Sequence, residues 1–386
     1  MVLPLKYNLR HLRVRWRSTF VAVVSIALVV AVFVMVMSLA RGLRTTFLST
    51  GDERNLLVLR KGAQAESSSQ ITVDDVRRTR VLEGIQSTSQ GEPLASAEVI
   101  VLITLDRANG GKAHVQVRGL EPAGLALRPQ IRLVEGRMFQ RGVRECIVSR
   151  KVARRFQQCG LGEGFLSGKH TWRVVGVFEA AKTAFESEIW ADSDEVREAF
   201  RRPCDCSMTI QAESTNASAA LIRRLESDKG RQLRVLTEPE YYQSQTRTAG
   251  PIQVLGACLA VVMSIGAAFS AMNTMYATVG TRTREIGTLR VLGFTPGSIY
   301  ISFLIESMML AFVGGLLGCL LSLPLNGMAT GTFNWATFAE VAFEFQITGG
   351  LLGAGLGFAL VMGALGGVLP ARWAARQPLL DALRAA

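Results

Sequence analysis

The sequence has 386 residues, of which 49% are hydrophobic, and a formal net charge of +12 at pH 7. The hydrophobic excess lies in four long runs, which excludes a purely soluble chain and predicts membrane-spanning helices. Half of the positive excess lies outside residues 41–250, where eleven Lys and Arg stand against five Asp and Glu. This charge follows the helix ends, so it does not require a nucleic-acid partner.

A basic amphipathic lead-in, residues 1–17, precedes the first predicted transmembrane helix at residues 18–40. About 20 apolar residues are enough to cross the hydrocarbon core as a helix. A basic flank before an apolar run is also typical of a cleaved signal peptide. The run is too long for a signal sequence, however, and no clear small-residue cleavage site precedes Arg41. We therefore expect a retained helix.

Residues 41–250 have the composition of a globular domain and are long enough to bury their own core. The pattern of β-branched residues predicts an α+β domain, inserted between the first and second transmembrane helices. Strands are predicted at residues 55–60, 97–105, 113–119, 146–149, 171–178, 207–211 and 232–236, and helices at 72–82, 192–200 and 216–228. A Gly- and Pro-rich break at residues 119–136 predicts two subdomains. Residues 45–120 and 204–240 form one, and residues 121–203 are inserted into it.

Four cysteines lie in this domain: Cys146, Cys159, Cys204 and Cys206. One residue separates Cys204 from Cys206, which is too tight for an unstrained disulfide and does not fit a zinc knuckle. An extracytoplasmic compartment permits disulfides. A bridge from one of this pair to Cys146 or Cys159 and a set of free, partly buried thiols both remain open.

Catalytic motifs find little support in the sequence. Its three histidines are His11, His114 and His170, with neither an HExxH nor a GxSxG motif. The stretch GFLSGKH at residues 164–170 fails as a phosphate-binding loop, because Glu163 stands at the first glycine position and His170 at the Ser/Thr position. We interpret it as a turn between strands. We expect a non-catalytic chain with no Walker motif, no metal site and no cofactor of its own.

Three more transmembrane helices are predicted in the last third of the chain. They occupy residues 251–280, 298–325 and 346–370, joined by a charged insert at 281–297 and a loop at 326–345, and followed by a tail at 371–386. Lys and Arg concentrate in the lead-in, the insert and the tail, whereas the 326–345 loop has neither. By the positive-inside rule, both termini and the insert are cytoplasmic, and the inserted domain and the loop are extracytoplasmic.

The insert reads TREIGTLRVLG over residues 283–293. As a helix it has an apolar face and a charged face. That pattern is typical of a helix that docks on another protein, and also of an interfacial helix lying on anionic lipid. Gly293 is expected to end this helix, and Pro296 to begin the next one.

Glu306 is the only charged residue in the apolar run at 294–339. A carboxylate inside a membrane segment is costly, which makes it a functional candidate. It lies about two helical turns from the insert. We interpret it as an ion pair or cap with the insert, through Arg284 or Arg290. Proton transfer is the alternative.

Glycines at four-residue spacing predict close helix packing. They are Gly314 and Gly318, Gly353 and Gly357, and Gly363 and Gly367. The apolar runs contain no row of polar side chains to line an aqueous path, which argues against a channel.

Residues 273–306, NTMYATVGTRTREIGTLRVLGFTPGSIYISFLIE, resemble the signature of FtsX-like permeases in the MacB/LolCDE group of ABC transporters. The order of one helix, a large outer domain and three helices is also similar. Weaker similarities are the lead-in NLRHLRVRWRSTF, the tail PARWAARQPLLDALR, and VEGRMF and WRVVGVF in the outer domain. MacB carries its nucleotide-binding domain on the same chain. Here the chain begins a few residues before the first helix, so a separate ATPase is expected.

The resemblance implies that the insert is a coupling helix seated on a cytoplasmic ABC ATPase, which binds the ATP and Mg. The implied coupling residues are Thr283, Arg284, Glu285, Ile286, Gly287, Leu289 and Arg290. A second copy of the permease is expected in a two-fold dimer through residues 18–40 and 251–280, with membrane lipids around it and a periplasmic adaptor as a further partner. The implied location is the bacterial cytoplasmic (inner) membrane.

Two functions follow from the resemblance. One is mechanotransmission by an exporter subunit that acts on a lipid, lipoprotein, peptide or drug outside the membrane. The other is an FtsX-like regulator that activates a cell-wall hydrolase without transport. An outer domain of roughly 200 residues in two parts matches MacB-type exporters, whereas FtsX-type regulators usually have a smaller one. This length favours the exporter.

Overall fold

The computed structural model describes residues 16–228, 230–246, 250–334 and 337–377. The chain divides into two compact units. We name them after their predicted locations: the membrane unit comprises Met1–Arg41, Pro251–Met328 and Phe345–Ala386, and the ectodomain comprises Gly42–Gly250 and Ala329–Glu344. The predicted lead-in up to residue 15 and the tail from residue 378 lie outside the described residues.

The α-helices alternate with strands in the ectodomain and follow one another in the membrane unit. In chain order they are α1 (Trp16–Leu48), α2 (Val73–Arg80), α3 (Pro122–Ala126), α4 (Arg150–Arg155), α5 (Ser193–Ala199), α6 (Thr215–Ser227), α7 (Glu238–Thr246), α8 (Gly250–Thr281), α9 (Thr283–Val291), α10 (Pro296–Ser322) and α11 (Gly349–Ala375). Short 3₁₀ turns lie at Glu66–Ser68, Ala184–Ser187 and Leu323–Leu325.

The strands form one large sheet and one hairpin. They are β1 (Asn55–Arg60), β2 (Ala95–Asp106), β3 (Lys112–Leu120), β4 (Arg132–Gly136), β5 (Glu145–Ser149), β6 (Gly164–Ser167), β7 (His170–Glu179), β8 (Glu188–Asp192), β9 (Ser207–Gln211), β10 (Leu233–Thr237), β11 (Ala329–Phe333) and β12 (Glu340–Glu344). The ten-stranded sheet has the order β10-β1-β9-β2-β3-β8-β5-β7-β4, with β6 paired to β7.

In the part of the chain that the structure describes, four helices are long and apolar enough to cross a membrane: Thr19–Leu48, Val254–Thr281, Pro296–Leu325 and Gly349–Ala375. The α+β ectodomain lies between the first two in the chain, as the sequence predicts. Helix α1 continues eight residues beyond the predicted membrane span. Its additional segment, RGLRTTFL, buries Leu43 and Phe47.

Two sequence signals set the junction between α9 and α10, as expected. Gly293 has φ +94°, a left-handed conformation that glycine adopts without steric cost and that ends a helix. Thr295 then caps α10, because its side chain accepts a hydrogen bond from the Ser298 amide, and Pro296 occupies the first turn.

The ectodomain sheet covers two apolar cores that share strand β2. Ala95 and Ala97 of β2 pack with β1, β9 and α6, whereas Val101 and Ile103 pack with β3, β5, β7 and β8. Strand β8 pairs in parallel with β3, so one sheet contains strands from both of the predicted subdomains. The boundary between the two apolar cores therefore lies along β2. Whether residues 121–203 behave as a separate subdomain stays a prediction.

The segment predicted as the loop 326–345 contains an antiparallel hairpin of β11 and β12. This hairpin is grouped with the ectodomain, not with the helices that flank it in the chain. The sequence missed it because each strand is only five residues long. Strand β8 was missed because its five residues are all buried and therefore show no alternation of polar and apolar positions.

The six cysteines are all free, so the bridge that the sequence left open is not formed. Cys146, Cys159 and Cys206 are buried. The Cys206 thiol donates to the Ile100 carbonyl oxygen at 3.4 Å. Burial raises the pKa of Cys159 to about 12, with the nearby Glu163 carboxylate adding to the effect. These thiols are therefore structural and unreactive at neutral pH.

Candidate functional site: the charged insert and its attachments

Helix α9 has an inner face that packs on the membrane unit. Ile286 is 2% exposed and belongs to an apolar cluster with Val23 of α1, Met275 of α8 and Phe303 of α10. Gly287 is buried beside it. Two of the predicted coupling residues thus lie against the bundle, where they fix the position of α9.

The outer face of α9 is polar first and then apolar. Arg284 and Glu285 are exposed in the first turn, and Thr288 is exposed one turn later. Val291 and Leu292 follow at 59% and 68% exposure. The other predicted coupling residues, Thr283, Leu289 and Arg290, are half-buried at the edges of this face. Exposed apolar side chains beside charged ones, on a fixed helix, are typical of a protein-docking surface.

Glu306 pairs with Arg282, not with Arg284 or Arg290 as predicted. The Nη1 atom of Arg282 lies 2.9 Å from Oε2 of Glu306, and both side chains are buried. The Arg282 guanidinium also lies 5.2 Å from the centroid of the Phe303 ring. Arg282 occupies the break between α8 and α9, from which its side chain enters the bundle, whereas Arg284 is on the outer face two residues later. The prediction of an ion pair is confirmed, with a different partner.

Two further contacts attach α9 to its neighbours. The Nε atom of Arg282 donates to Oε2 of Glu285 at 3.2 Å, which joins the break to the first turn of α9. Nη1 of Arg290 donates to the carbonyl oxygen of Ala375 at 3.2 Å, at the last residue of α11. A helix C-terminus leaves such carbonyls unsatisfied, so a cation is favourable there. Helix α9 is thereby attached to α10 at one end and to α11 at the other.

Four of the six predicted packing glycines lie at contacts between helices, and two do not. At Gly314 and Gly318 an added Cβ would lie against Ile26 and the Ala27 carbonyl of α1. At Gly363 and Gly367 it would lie against Ala311 and Ser307 of α10. At the remaining two, Gly353 and Gly357, it would meet nothing within 4 Å among the described residues. Four-residue spacing therefore identified a small-residue stripe without showing which face it occupies.

Four further packing glycines were not singled out from the sequence: Gly256, Gly315, Gly355 and Gly366. A Cβ at Gly355 would lie 2.8 Å from a methyl group of Val34, and one at Gly315 would lie 2.7 Å from Ala359. A glycine one or two positions before or after a recognised one faces a different neighbour, as Gly315 and Gly366 do. Only the assembled bundle shows which neighbour that is.

Sequence reasoning missed a buried charge network in the ectodomain, formed by Arg118 and Arg128 with Glu66, Glu98, Glu188 and Glu238. Arg118 is 1% exposed and binds Glu188 through two hydrogen bonds of 2.7 and 2.8 Å. It also binds Glu66 at 2.9 and 3.0 Å, and contacts Glu98. Burial alone would lower the pKa of Arg118, but the three carboxylates hold it well above its ordinary value.

Arg128 completes this network. Its guanidinium binds Glu98 at 2.7 and 3.0 Å and lies 5.1 Å from the centroid of the Phe185 ring. Glu238 is 3.9 Å away and accepts from Asn55 Nδ2 at 3.0 Å. Burial raises the pKa of Glu238, although Arg128 opposes the shift. Four carboxylates thus face two guanidinium groups, and burial favours the protonated form of Glu238.

Among the described residues no group of three or more His, Cys, Asp or Glu side chains is placed to hold a metal ion. The charge network has its carboxylates bound to arginines, which occupy the positions that a cation would take. Its arrangement is that of a structural core, because paired charges can be buried whereas single ones cannot.

Comparison with known proteins gives two family matches. Residues 19–228 match the MacB-like periplasmic core domain, and residues 257–379 match the FtsX-like permease C-terminal region. The ABC transporter permease YknZ of Bacillus subtilis is 25% identical over 84% of this chain and 82% of its own length. The macrolide export protein MacB of Campylobacter jejuni is 31% identical over 44% of this chain, but only 26% of its own length is covered.

Pyoverdine export protein PvdT of Pseudomonas entomophila is 29% identical over 65% of this chain and 40% of its own length. Thus the chain spans less than half of the length of the MacB and PvdT relatives. Among solved structures, the extracellular domain of YknZ is 16% identical with a TM-score of 0.37, covering 47% of this chain and all of that one.

The first family match alone spans more than half of the chain. The chain belongs to the MacB-like periplasmic core domain family and is an ABC transporter permease of the MacB/FtsX type.

Proposed function

We propose that this permease works by mechanotransmission, coupling ATP hydrolysis on a separate cytoplasmic ATPase to the movement of a substrate outside the membrane. One observation supports the proposal above the others. Helix α9 presents Arg284, Glu285, Val291 and Leu292 outward while Arg282 and Arg290 attach it to α10 and α11. A helix held in this way moves its neighbours when a bound partner moves it.

The ATPase binds the ATP and Mg, and the permease chain contributes the docking face. Closure of an ABC ATPase pair requires two docking sites, so a second permease copy completes the assembly as a two-fold dimer. Both termini and α9 lie in the cytoplasm, and the ectodomain lies outside the cytoplasmic membrane. A periplasmic adaptor is the further partner.

A lipid, lipoprotein, peptide or drug is the proposed class of substrate. Relatives named for macrolide and pyoverdine export support an exporter. The ectodomain supports it too, since the large sheet and its two cores give a substantial surface outside the membrane. The alternative is an FtsX-like regulator of a cell-wall hydrolase, which would use the same docking helix.

Replacing both Val291 and Leu292 with Asp tests the docking face. Each substitution removes apolar contact area and places a charge where the ATPase would bury it, so binding should fall at least about tenfold. The measurement is co-purification of the ATPase with the tagged permease, together with the stimulation of ATP hydrolysis. Val81→Asp makes the same kind of substitution at a valine of the ectodomain that is 80% exposed, and is the matched control.

Normal ATPase binding and stimulation by the Val291→Asp, Leu292→Asp variant would refute the proposal. To separate the two functions, the Val291→Asp, Leu292→Asp variant is compared with the unmodified chain in cells. Loss of export supports the exporter, whereas loss of hydrolase activation with no change in export supports the regulator.

A further inference from the structure

The hairpin of β11 and β12 docks closely on the rest of the ectodomain. Phe343 of β12 is fully buried, and Ala342 is 2% exposed. The Ala342 amide donates to Oγ of Ser187 at 2.8 Å. It therefore points away from β11, so Ala342 and its partner Gly331 form a non-hydrogen-bonded pair. Neighbouring amides at Val341 and Phe343 face β11 instead.

The Glu340 side chain lies between two arginines that belong to other elements of the ectodomain. Its Oε2 atom binds Nη2 of Arg107, and its Oε1 atom binds Nη2 of Arg155. The Glu340 side chain is 4% exposed, whereas Arg107 remains 42% exposed. A carboxylate that is buried between two guanidinium groups is stabilised only while the hairpin is docked, because undocking breaks both pairs.

Glu344 repeats this arrangement at the other end of β12. It lies 3.4 Å from Nζ of Lys151 and 3.0 Å from Nζ of Lys182. Partial burial alone would raise its pKa, but the two ammonium groups lower the pKa of Glu344 below its ordinary value. Both ends of β12 therefore carry a carboxylate that two basic side chains bind.

Two glycines permit these contacts. A Cβ at Gly331 of β11 would overlap Oε1 of Glu340 and Nη2 of Arg155. A Cβ at Gly42, in the last turns of α1, would overlap the carbonyl oxygen of Glu344. Neither glycine has a positive φ, so steric closeness and not backbone conformation requires them. The docked hairpin thus touches the end of α1 as well as the sheet.

Apolar packing does not seal the hairpin completely. A cavity of about 40 Å³ lies beside it, lined by Phe47, Tyr242, Asn334, Glu340 and Val341 among others. A cavity of that size, lined by polar groups, has room for water. The apolar contact between the hairpin and its neighbours is therefore incomplete, and the ion pairs act beside it.

We propose that Glu340 and Glu344 are positioning residues that clamp the hairpin to the rest of the ectodomain. Through this clamp, movement of α10 and α11 is transmitted to the rest of the ectodomain. Chain continuity joins β11 to α10 and β12 to α11, so a docked hairpin is an attachment additional to α1 and α8. A loop without contacts to the ectodomain could change conformation when the helices move. A clamped hairpin instead moves with the helices and displaces the residues on which it docks. The role in transmission rests on the proposed function, but docking by the four ion pairs does not.

The first test measures docking in the complete chain by hydrogen exchange with residue-level fragmentation. In a Glu340→Gln, Glu344→Gln variant the Ala342 amide should exchange at least about tenfold faster, because docking protects it. The Phe343 amide reports pairing within the hairpin and serves as an internal reference. Glu198→Gln removes an exposed carboxylate that pairs with Arg144 at 3.4 Å, and should leave Ala342 unchanged.

A second variant, Gly331→Ala, displaces Glu340 from Arg155 without changing any charge and should give the same acceleration. Higher ionic strength should also accelerate exchange at Ala342 in the unmodified protein, since Arg107 and Lys182 are partly exposed. Unchanged exchange in both variants would show that the ion pairs do not hold the hairpin, and would overturn the clamp.

The second test concerns transmission. In complex with the ATPase, exchange in the ectodomain strands is compared with and without ATP, using an ATPase variant that binds but does not hydrolyse it. The ATP-dependent difference should shrink at least about threefold in the Glu340→Gln, Glu344→Gln variant, with ATPase binding unchanged. If the hairpin of this variant is undocked but the ATP-dependent difference in exchange is as large as in the unmodified protein, the role in transmission is overturned. No difference in the unmodified protein would contradict the proposed function itself.

Discussion

The two units of this permease use buried charge differently. In the membrane unit Arg282 and Glu306, 24 residues apart, form a buried pair beside the break between α8 and α9. In the ectodomain Arg118 binds carboxylates at Glu66, Glu98 and Glu188, which are 52, 20 and 70 residues away. The first arrangement fixes the angle of one short helix. The second joins three distant segments of a domain.

The difference follows from what else holds each unit together. Helices in a bilayer satisfy their own backbone groups and pack through small residues such as Gly314 and Gly318. The buried ion pair of this unit lies beside the break between α8 and α9. The ectodomain covers two apolar cores with one sheet, and the network lies where the chain segments of both cores meet. Its loss should accordingly affect the whole domain.

Replacing Arg118 with Leu should have the largest effect. It leaves Glu66, Glu98 and Glu188 buried without their shared cation, which costs about 3–5 kcal/mol in the free energy of unfolding. Thermal unfolding followed by the fluorescence of the buried Trp190 measures it. Arg144→Leu, whose partners Glu195 and Glu198 lie near the surface, is the control and should cost less than about 1 kcal/mol. Equal losses in the two variants would contradict a special role for the network.

Replacing Glu306 with Leu should have a smaller effect, since Arg282 keeps its hydrogen bond to Glu285. We expect a loss of about 2 kcal/mol in the stability of the membrane unit, together with weaker stimulation of the ATPase. A double-mutant cycle with Arg282→Leu measures the pair itself. If the effects of the two single variants simply add, Arg282 and Glu306 are not coupled.

Adding a methyl group at Gly318 tests helix packing. A Cβ there would lie 2.5 Å from the Ala27 carbonyl oxygen, so Gly318→Ala should cost about 1–2 kcal/mol. Gly353→Ala is the matched control, because its Cβ would meet no described neighbour within 4 Å, and an alanine there favours the helix. Thermal stability in detergent measures both. Equal destabilisation would mean that the bundle packs on a different face of α11.

The smallest effect should come from Glu238→Gln, and it should depend on pH. Because burial raises the pKa of Glu238, the folded state holds its proton more tightly than the unfolded state. Stability therefore falls as the pH rises through the interval between the unfolded and the folded pKa. The amide avoids this loss, so the variant should be more stable at neutral pH, by about 1 kcal/mol or less, and the gain should disappear toward pH 4. A gain that grows on acidification would refute the assignment.

Much of the architecture could be predicted because it depends on local composition. Four apolar runs, the basic residues beside them and the cap at Thr295 and Pro296 are properties of neighbouring residues. The α9 insert was recognisable for the same reason, and so was the need of Glu306 for an ionic partner. Hydropathy and charge act over one or two helical turns, which a single sequence shows directly.

The tertiary structure alone decided which distant residues meet. Arg118 meets Glu188 across 70 residues, and Glu340 meets Arg155 across 185, and no periodicity in the sequence encodes either pairing. The same holds for the face on which a glycine lies, since Gly363 packs against α10 whereas Gly353 does not. An ion pair needs only two complementary groups, of which the chain has many. The fold selects the pairs by bringing them together where water is excluded.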